Sequence, residues 1–281
     1  MTTTVGIIGA GTMGGGIAQV AAGSGCDVLL HDAAGGALEQ AMQRIEAGLG
    51  ERARKTGTGS AEEALRRIRP CAAISDLAGA DVVIEAAFED LEVKREIFRA
   101  LEAVVNSGAV LATNTSSLSV TAIGALTRTP GSVIGMHFFN PAPRMKLVEI
   151  VPGSRTSDET VARARSLALA MGKTPILCAD TPGFIVNRVA RPFYGEALRL
   201  LGEGKASAEE IDRIVRLEGG FRMGPFELMD LIGIDVNYAV TRSVYERFFH
   251  EPRFRPHPIQ ARMVEAGTLG RKTGRGFYTY G

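Results

Sequence analysis

The chain has 281 residues, 45% of them hydrophobic, which is enough for two domains with buried cores and excludes a disordered polymer. Lys and Arg number 32 against 31 Asp and Glu, a net charge of +1, so the charge balance points to neither nucleic acid nor a membrane surface as partner. Three widely spaced cysteines, Cys26, Cys71 and Cys178, form neither a metal-ligand spacing nor a disulfide framework and are expected as buried thiols in a reducing cytoplasm.

The opening residues, MTTTVGIIGAG, carry no charged leader and already read as a strand, so no secretory signal is expected. No apolar run approaches the ~18 residues that span a bilayer. The strand runs into Gly9-Ala-Gly11-Thr12-Met13-Gly14, followed by a helical pattern and a second strand, DVLLHD, ending at Asp32. A GxGxxG in that context is the dinucleotide fingerprint. Gly9 permits the tight turn, Gly11 lets the backbone approach a pyrophosphate, and Gly14 lets helix and strand pack closely. The helix N-terminus attracts the anion. Asp32 suits a ribose diol and would repel a 2′-phosphate, and Ala33-Ala34-Gly35 supplies no arginine, which favours NAD over NADP.

The basic clusters ERARK and RRIR read as solvated helix faces. DVVIEA, AVLATN and SVIGMHF are further apolar runs of the kind found in parallel strands buried on both faces. Between them, LEVKREIFRALEAVV has apolar residues at Val93, Ile97, Leu101 and Val104, recurring at three and four. This strand–helix alternation argues a doubly wound α/β sheet. Glu85, Glu89, Asp90 and Lys94 then fall at the carboxyl edge of the sheet, where ligands bind in open α/β folds, and NTSSLS (Asn114 to Ser119) falls at the same edge. Taken alone, Ser116 and Ser117 fit a helix cap as well as a ligand contact, and Glu89 and Lys94 fit surface charges.

HFFNPAPRMKLVEI places His137, one of four histidines, before Phe138, Phe139 and an Asn140-Pro141 turn. An extended run follows with Glu149 inside it. Asp180-Thr-Pro-Gly183 is a chain-turning cluster, and beyond it helical patterns dominate. One of them, SAEEIDRIVRLE, opens with a capping box from Ser207 and Glu210. The boundary is set near residue 182, giving residues 1–182 and 183–281 as two domains.

The blocks GAGTMGGGIAQ, VIEAAFEDLEVKREIF, LATNTSSLS, GMHFFNPAPRMKLVEIV, DTPGFIVNR, GPFELMDLIGID and LGRKTGRGFY occur in one order that resembles the L-3-hydroxyacyl-CoA dehydrogenases, in particular the bacterial short-chain 3-hydroxybutyryl-CoA type. The resemblance spans nearly the whole chain. It implies a Rossmann-type NAD-binding domain and an all-α C-terminal domain that dimerises and takes part in binding an acyl-CoA thioester. It implies His137 as catalytic base, Glu149 as its partner, and Ser116 and Asn187 as residues that contact the substrate during catalysis. Asn140 joins them in substrate binding. Asp32, Glu89, Lys94 and Asn114, with Gly9, Gly11, Thr12, Met13 and Gly14, are implied as NAD contacts. Lys55 matches one lysine of a segment that grips the CoA phosphates. A second expected lysine is replaced near Thr58, with Arg52 or Arg54 as substitutes.

The stretch DVNYAVTRSVYERFFHEPRFRPHPIQ resembles the 3-hydroxyadipyl-CoA dehydrogenases of phenylacetate breakdown equally well, with Arg242, Arg253 and Arg255 as candidates for a terminal carboxylate. Two other readings compete: a non-catalytic NAD-binding relative, and a dehydrogenase of small hydroxy acids or sugar nucleotides. The latter would be expected to use a lysine or cysteine, and the His137 and Glu149 blocks argue against it.

Overall fold

The computed structural model describes residues 2–56 and 60–281. The chain divides after Thr181 into two compact units. In the first, the elements run β1 (Thr4–Ile8), α1 (Thr12–Gly23), β2 (Asp27–His31), α2 (Ala37–Thr56), α3 (Ala61–Arg66), β3 (Ile68–Cys71), β4 (Val82–Glu85), α4 (Leu91–Val104), β5 (Val110–Thr113), α5 (Val120–Gly124), β6 (Val133–Phe138), β7 (Leu147–Pro152), α6 (Asp158–Ala170) and β8 (Thr174–Leu177). The strands form one sheet in the order β3-β2-β1-β4-β5-β6-β7-β8. The first six lie parallel, and β7 turns back antiparallel to β6 with β8 parallel beside it. Order reverses across β1, which is the switch point of a doubly wound sheet, and its carboxyl end carries the glycine turn.

The central strands are buried on both faces, as their unbroken Val, Ile, Leu and Ala runs require. Val5, Ile7, Val28, Ile84, Ile134 and Met136 belong to the resulting core, which Ile17 of α1 joins from the helical layer. The two strands outside the sequence expectation, β3 and β8, are the sheet's two edges and contain Pro70 and Pro175. A proline cannot donate to a ladder, so it is tolerated at an edge while weakening the strand pattern. The helix α4 forms as its period requires, yet its buried side chains are Lys94, Phe98 and Leu101, whereas Val93, Ile97 and Val104 are half-buried. The seam is turned by one residue so that a lysine enters the interior.

The second unit contains α7 (Val186–Gly202), α8 (Ala208–Leu217), α9 (Pro225–Ile232), α10 (Ile234–Arg247) and α11 (Pro258–Glu265). Its core gathers Tyr194, Leu198, Ile211, Phe226 and Met229. Ser207 and Glu210 cap α8 reciprocally, an arrangement whose serine half is typically worth ~1 kcal/mol. Two buried carboxylates organise the rest. Asp212 accepts from Phe226 N and Glu227 N at 2.9 Å each, closing the start of α9, and from the Tyr278 hydroxyl at 2.8 Å. Asp230 accepts from Phe277 N, Tyr278 N and the Tyr280 hydroxyl, all at 3.0 Å. A Cβ at Gly276 would lie 2.0 Å from Asp230 Oδ1, and one at Gly224 2.3 Å from Asp212 Oδ1. The LGRKTGRGFY block is therefore a C-terminal strap tied down by two acids.

Candidate active site

The turn after β1 is built for a close approach. Gly9 has φ +98°, and a Cβ there would sit 2.5 Å from Ala86 O. A Cβ at Gly14 would lie 1.7 Å from Gly9 O, so only glycine lets α1 start directly over the strand end. At Gly11 a Cβ would meet nothing within 4 Å, leaving room beside the backbone. Thr12 and Met13 form the first turn of α1, which carries no acidic residue. Asp32 closes the turn from the end of β2: its Oδ2 accepts from Ala10 N at 2.6 Å and its Oδ1 from Ala34 N at 2.8 Å. An open glycine loop, a helix N-terminus without acids and a carboxylate at the next strand end fit a dinucleotide.

Three strands from β1, the β6–β7 ladder sets His137 directly opposite Glu149. Directly opposed residues point to the same face with Cβ atoms in reach of one another. His137 Nδ1 lies 2.7 Å from Glu149 Oε2, and both side chains are buried. With an ionised Glu149, which can only accept, and a neutral imidazole, this contact puts the proton on Nδ1 and leaves Nε2 as the acceptor. The Phe139 ring lies against the imidazole, centroids 4.5 Å apart. Asn114 Oδ1 accepts from Phe138 N at 2.9 Å and holds the end of β6 in place. The acid in the KLVEIV run is thus the cross-strand neighbour of the histidine twelve residues earlier.

The edge between β4 and β5 carries a second charged cluster. Lys94 Nζ lies 2.7 and 2.8 Å from the two oxygens of Glu85, with both residues fully buried, and 3.4 Å from Glu89 Oε2. Thr113 Oγ1 and Ala87 N also donate to Glu85, each at 2.7 Å. Glu89 Oε1 accepts from Thr115 Oγ1, Ser116 N, Ser117 N and Ser117 Oγ. Burial raises the Glu89 pKa, but the Lys94 charge and the hydroxyl and amide donors outweigh it and hold the carboxyl below its usual range. Lys94 is buried, whereas Glu89 is exposed but tied to the loop by these hydrogen bonds. The cap of α5 is Ser119 and not Ser116 or Ser117. Asp180 completes that cap by accepting from Ser119 Oγ, Val120 N and Thr121 N at 2.7–3.0 Å.

Of the remaining candidates, Asn140 is exposed and precedes a cis Asn140–Pro141 peptide. The loop after it is pinned by the buried Lys173, whose ammonium donates to Ala142 O at 2.6 Å and Met145 O at 2.8 Å. Burial pulls the Lys173 pKa down, reinforced by the Arg52 charge. Lys55 is exposed on the last turn of α2 and pairs with Glu51. Thr58 lies outside the described residues. Asn187 occupies the first turn of α7 in the second unit, its backbone carbonyl accepting from the buried Arg191. Lys173, Asp180 and Arg191 have no site role in the sequence reading, because their partners are 28 to 61 positions away or are backbone groups. Among the described residues, no group of three or more His, Cys, Asp or Glu could hold a metal ion, and no helix is long and apolar enough to cross a membrane.

Residues 4–181 match the model of the 3-hydroxyacyl-CoA dehydrogenase NAD binding domain, and residues 183–280 match that of the 3-hydroxyacyl-CoA dehydrogenase C-terminal domain. The chain is 51% identical over 279 residues to a 3-hydroxyadipyl-CoA dehydrogenase of Escherichia coli, covering 99% of this chain but only 59% of that longer protein. It is 43% identical over 278 residues to a 3-hydroxybutyryl-CoA dehydrogenase of Bradyrhizobium diazoefficiens, covering 98% of this chain and 94% of the relative. The crystal structure of an (S)-3-hydroxybutyryl-CoA dehydrogenase from Ralstonia eutropha superposes with a TM-score of 0.95 at 42% identity, covering 100% of both chains. With an NAD-binding first domain and a helical second one, each matched over almost its whole length, the chain belongs to the 3-hydroxyacyl-CoA dehydrogenase family.

Proposed function

We propose that the chain oxidises the C3 hydroxyl of a short L-3-hydroxyacyl-CoA to the 3-ketoacyl thioester, and catalyses the reverse, with 3-hydroxybutyryl-CoA and acetoacetyl-CoA as the leading pair. The observation that carries this reading is the buried His137–Glu149 contact at 2.7 Å. NAD, when bound, supplies the acceptor for the hydride that leaves C3. Gly9, Gly11, Thr12, Met13 and Gly14 would hold its pyrophosphate and Asp32 its adenosine ribose, with Asn114, Glu89 and Lys94 at the nicotinamide end. His137 Nε2 takes the hydroxyl proton as C3 is oxidised and returns it in reduction. Glu149 keeps the imidazole in the required tautomer and balances the imidazolium that forms. Ser116 is assigned to the reacting oxygen, Asn187 to the thioester oxygen, Asn140 to further substrate contact, and Lys55 to the CoA phosphates.

A dicarboxylic substrate, 3-hydroxyadipyl-CoA, is the second reading, favoured by the 51% identity to the E. coli relative. Arg242, Arg253 and Arg255 remain its candidate tail contacts. The first two lie near Glu246 and Glu251, so they would have to exchange partners to meet a carboxylate.

Initial rates of NADH formation with 3-hydroxybutyryl-CoA, 3-hydroxyadipyl-CoA and the free acids test both readings. Activity confined to the free acids, or absent throughout, refutes them. The same assay run with NADP reads Asp32. We expect a strong NAD preference that Asp32→Ala narrows, because the carboxylate loses its ribose partner to a repelling phosphate. Equal use of both cofactors by the wild type would overturn the Asp32 assignment.

The second unit is also proposed to dimerise. Ile214 and Leu217 of α8, Phe221 beyond it, Leu231 of α9 and Val236 of α10 leave large apolar side chains exposed in the single chain. Patches of this kind mark interaction surfaces, and two-fold self-association is the commonest solution. Light scattering at micromolar concentration is expected to give twice the chain mass, and a monomer alone would refute the proposal. A cytoplasmic location agrees with the three buried free thiols.

A further inference from the structure

We infer that Glu89 is a positioning residue: its carboxylate, steadied by Lys94, fixes the Asn114–Ser119 loop and thereby the serine that meets the reacting oxygen. This rests on the reading above that Ser116 makes that contact.

The loop leaves β5 without regular secondary structure, and within it Leu118 N and Ser117 N donate to Thr115 Oγ1 at 2.8 and 3.3 Å. Groups outside the loop add the rest. Glu89 Oε1 collects Thr115 Oγ1 at 2.6 Å, Ser116 N and Ser117 N at 2.9 Å, and Ser117 Oγ at 3.0 Å. Two successive backbone N–H groups aimed at one anion form a nest, here closed over a side chain of the same chain. Glu89 takes the backbone N–H of Ser116 and not its hydroxyl, so the anchor sets the hydroxyl's place without consuming it. The far end of the loop is held by Asp180, which receives Ser119 Oγ, Val120 N and Thr121 N.

Glu89 needs its own support, because a free glutamate at a strand edge samples many rotamers. Lys94 provides it: the ammonium lies 3.4 Å from Glu89 Oε2 while paired to Glu85 at 2.7 Å. Hydrogen bonds to an ionised acceptor are stronger than those between neutral groups. The chain Glu85–Lys94–Glu89 thus carries rigidity from the buried end of β4 to the backbone of Ser116. With one carboxylate oxygen committed to the loop, removal of Glu89 should be felt in turnover even when NAD is saturating.

The test uses the full chain with Glu89→Ala, Glu89→Gln, Ser116→Ala and Glu89→Ala/Ser116→Ala, assayed with 3-hydroxybutyryl-CoA and NAD. NAD affinity is measured separately by calorimetry. A displaced catalytic contact costs on the order of 100-fold, so Glu89→Ala should lower kcat by about that factor. Because Glu89 is also assigned to NAD, kcat is compared at an NAD concentration that saturates each variant, so that lost cofactor binding does not enter it. Glu89→Gln keeps an acceptor for the loop and should recover part of the loss. In the Ser116→Ala background, Glu89→Ala should cost little more, because the two act as one unit. Amide hydrogen exchange at Ser116 and Ser117 should accelerate in Glu89→Ala and less in Glu89→Gln. Wild-type kcat in Glu89→Ala at saturating NAD, whatever the NAD affinity, would overturn the inference. A wild-type chain inactive on every thioester would refute the proposed function instead. Exchange at Ser116 and Ser117 would still decide the anchor, with unchanged rates in Glu89→Ala counting against it.

Discussion

His137→Gln and Glu149→Gln should each lower kcat for 3-hydroxybutyryl-CoA oxidation by at least ~100-fold, the usual scale for losing a general base. His137 is the group that moves the proton. Glu149 lies 2.7 Å behind it, at Nδ1, and does not touch the substrate in this reading. Glutamine at position 149 keeps the shape but offers a neutral amide. It can turn its N–H₂ toward the ring as readily as its oxygen, so the tautomer is no longer dictated and the imidazolium is no longer balanced. The two losses therefore have one cause. The double variant should be little worse than the worse single, as expected for residues that act as a unit. NAD affinity, measured by fluorescence, should be nearly unchanged, because the pair lies on β6 and β7 while the glycine turn follows β1. Near-normal turnover in His137→Gln would sink the mechanism. Fully additive losses would leave each residue a role but break the pairing.

The parts of this site that can be read from sequence are those whose partners are local or periodic. The glycine turn is contained in six residues, and the strand before it and Asp32 after it supply the context that makes the motif specific. The His137–Glu149 pair is legible because an antiparallel return makes a twelve-residue separation into a cross-strand contact, and an acid inside a Val- and Ile-rich strand needs a partner. Lys94 is not legible in the same way. Its helix has the right period, and a lysine on it reads as a surface charge unless one knows that Glu85, nine residues earlier, ends a strand buried beneath it. Asp180 looks like the first residue of a turn, and only the sheet brings it to the start of α5, some 60 positions back. The edge strands β3 and β8 escape because their prolines erase a pattern that four residues barely establish. The C-terminal strap reads as a family block without a job, since Asp212 and Asp230 are ordinary helix acids until the tail folds over them.

The buried Glu85–Lys94 pair should produce the largest stability effect in the first unit. Glu85 is 0% exposed and Lys94 1%, and Glu85 also accepts from Ala87 N and Thr113 Oγ1. Lys94→Met replaces the ammonium with an apolar chain of similar length and leaves a carboxylate in the interior without its counter-charge. Removing one partner of such a pair typically costs ~3–5 kcal/mol, a large share of the stability of an ordinary domain. The pair need not itself stabilise the fold by that amount, because much of the loss is the penalty of the stranded charge. Glu85→Gln/Lys94→Met separates the two. Its glutamine oxygen can still accept from Ala87 N while its amide N–H₂ donates to the Thr113 hydroxyl, and no uncompensated buried charge remains. The double variant should therefore recover part of the loss, with a coupling energy on the order of 2 kcal/mol. Urea denaturation of the wild type, both singles and the double reads these values directly, provided the slopes agree. A Lys94→Met loss below about 1 kcal/mol would mean that Glu85 finds water or another partner, and that the charge is not confined as the structure has it. The same variant also withdraws the cation from Glu89. Amide protection at Ser116 and Ser117 should then fall even in urea-free buffer, where the protein is still folded, linking the interior pair to the loop through one shared ammonium.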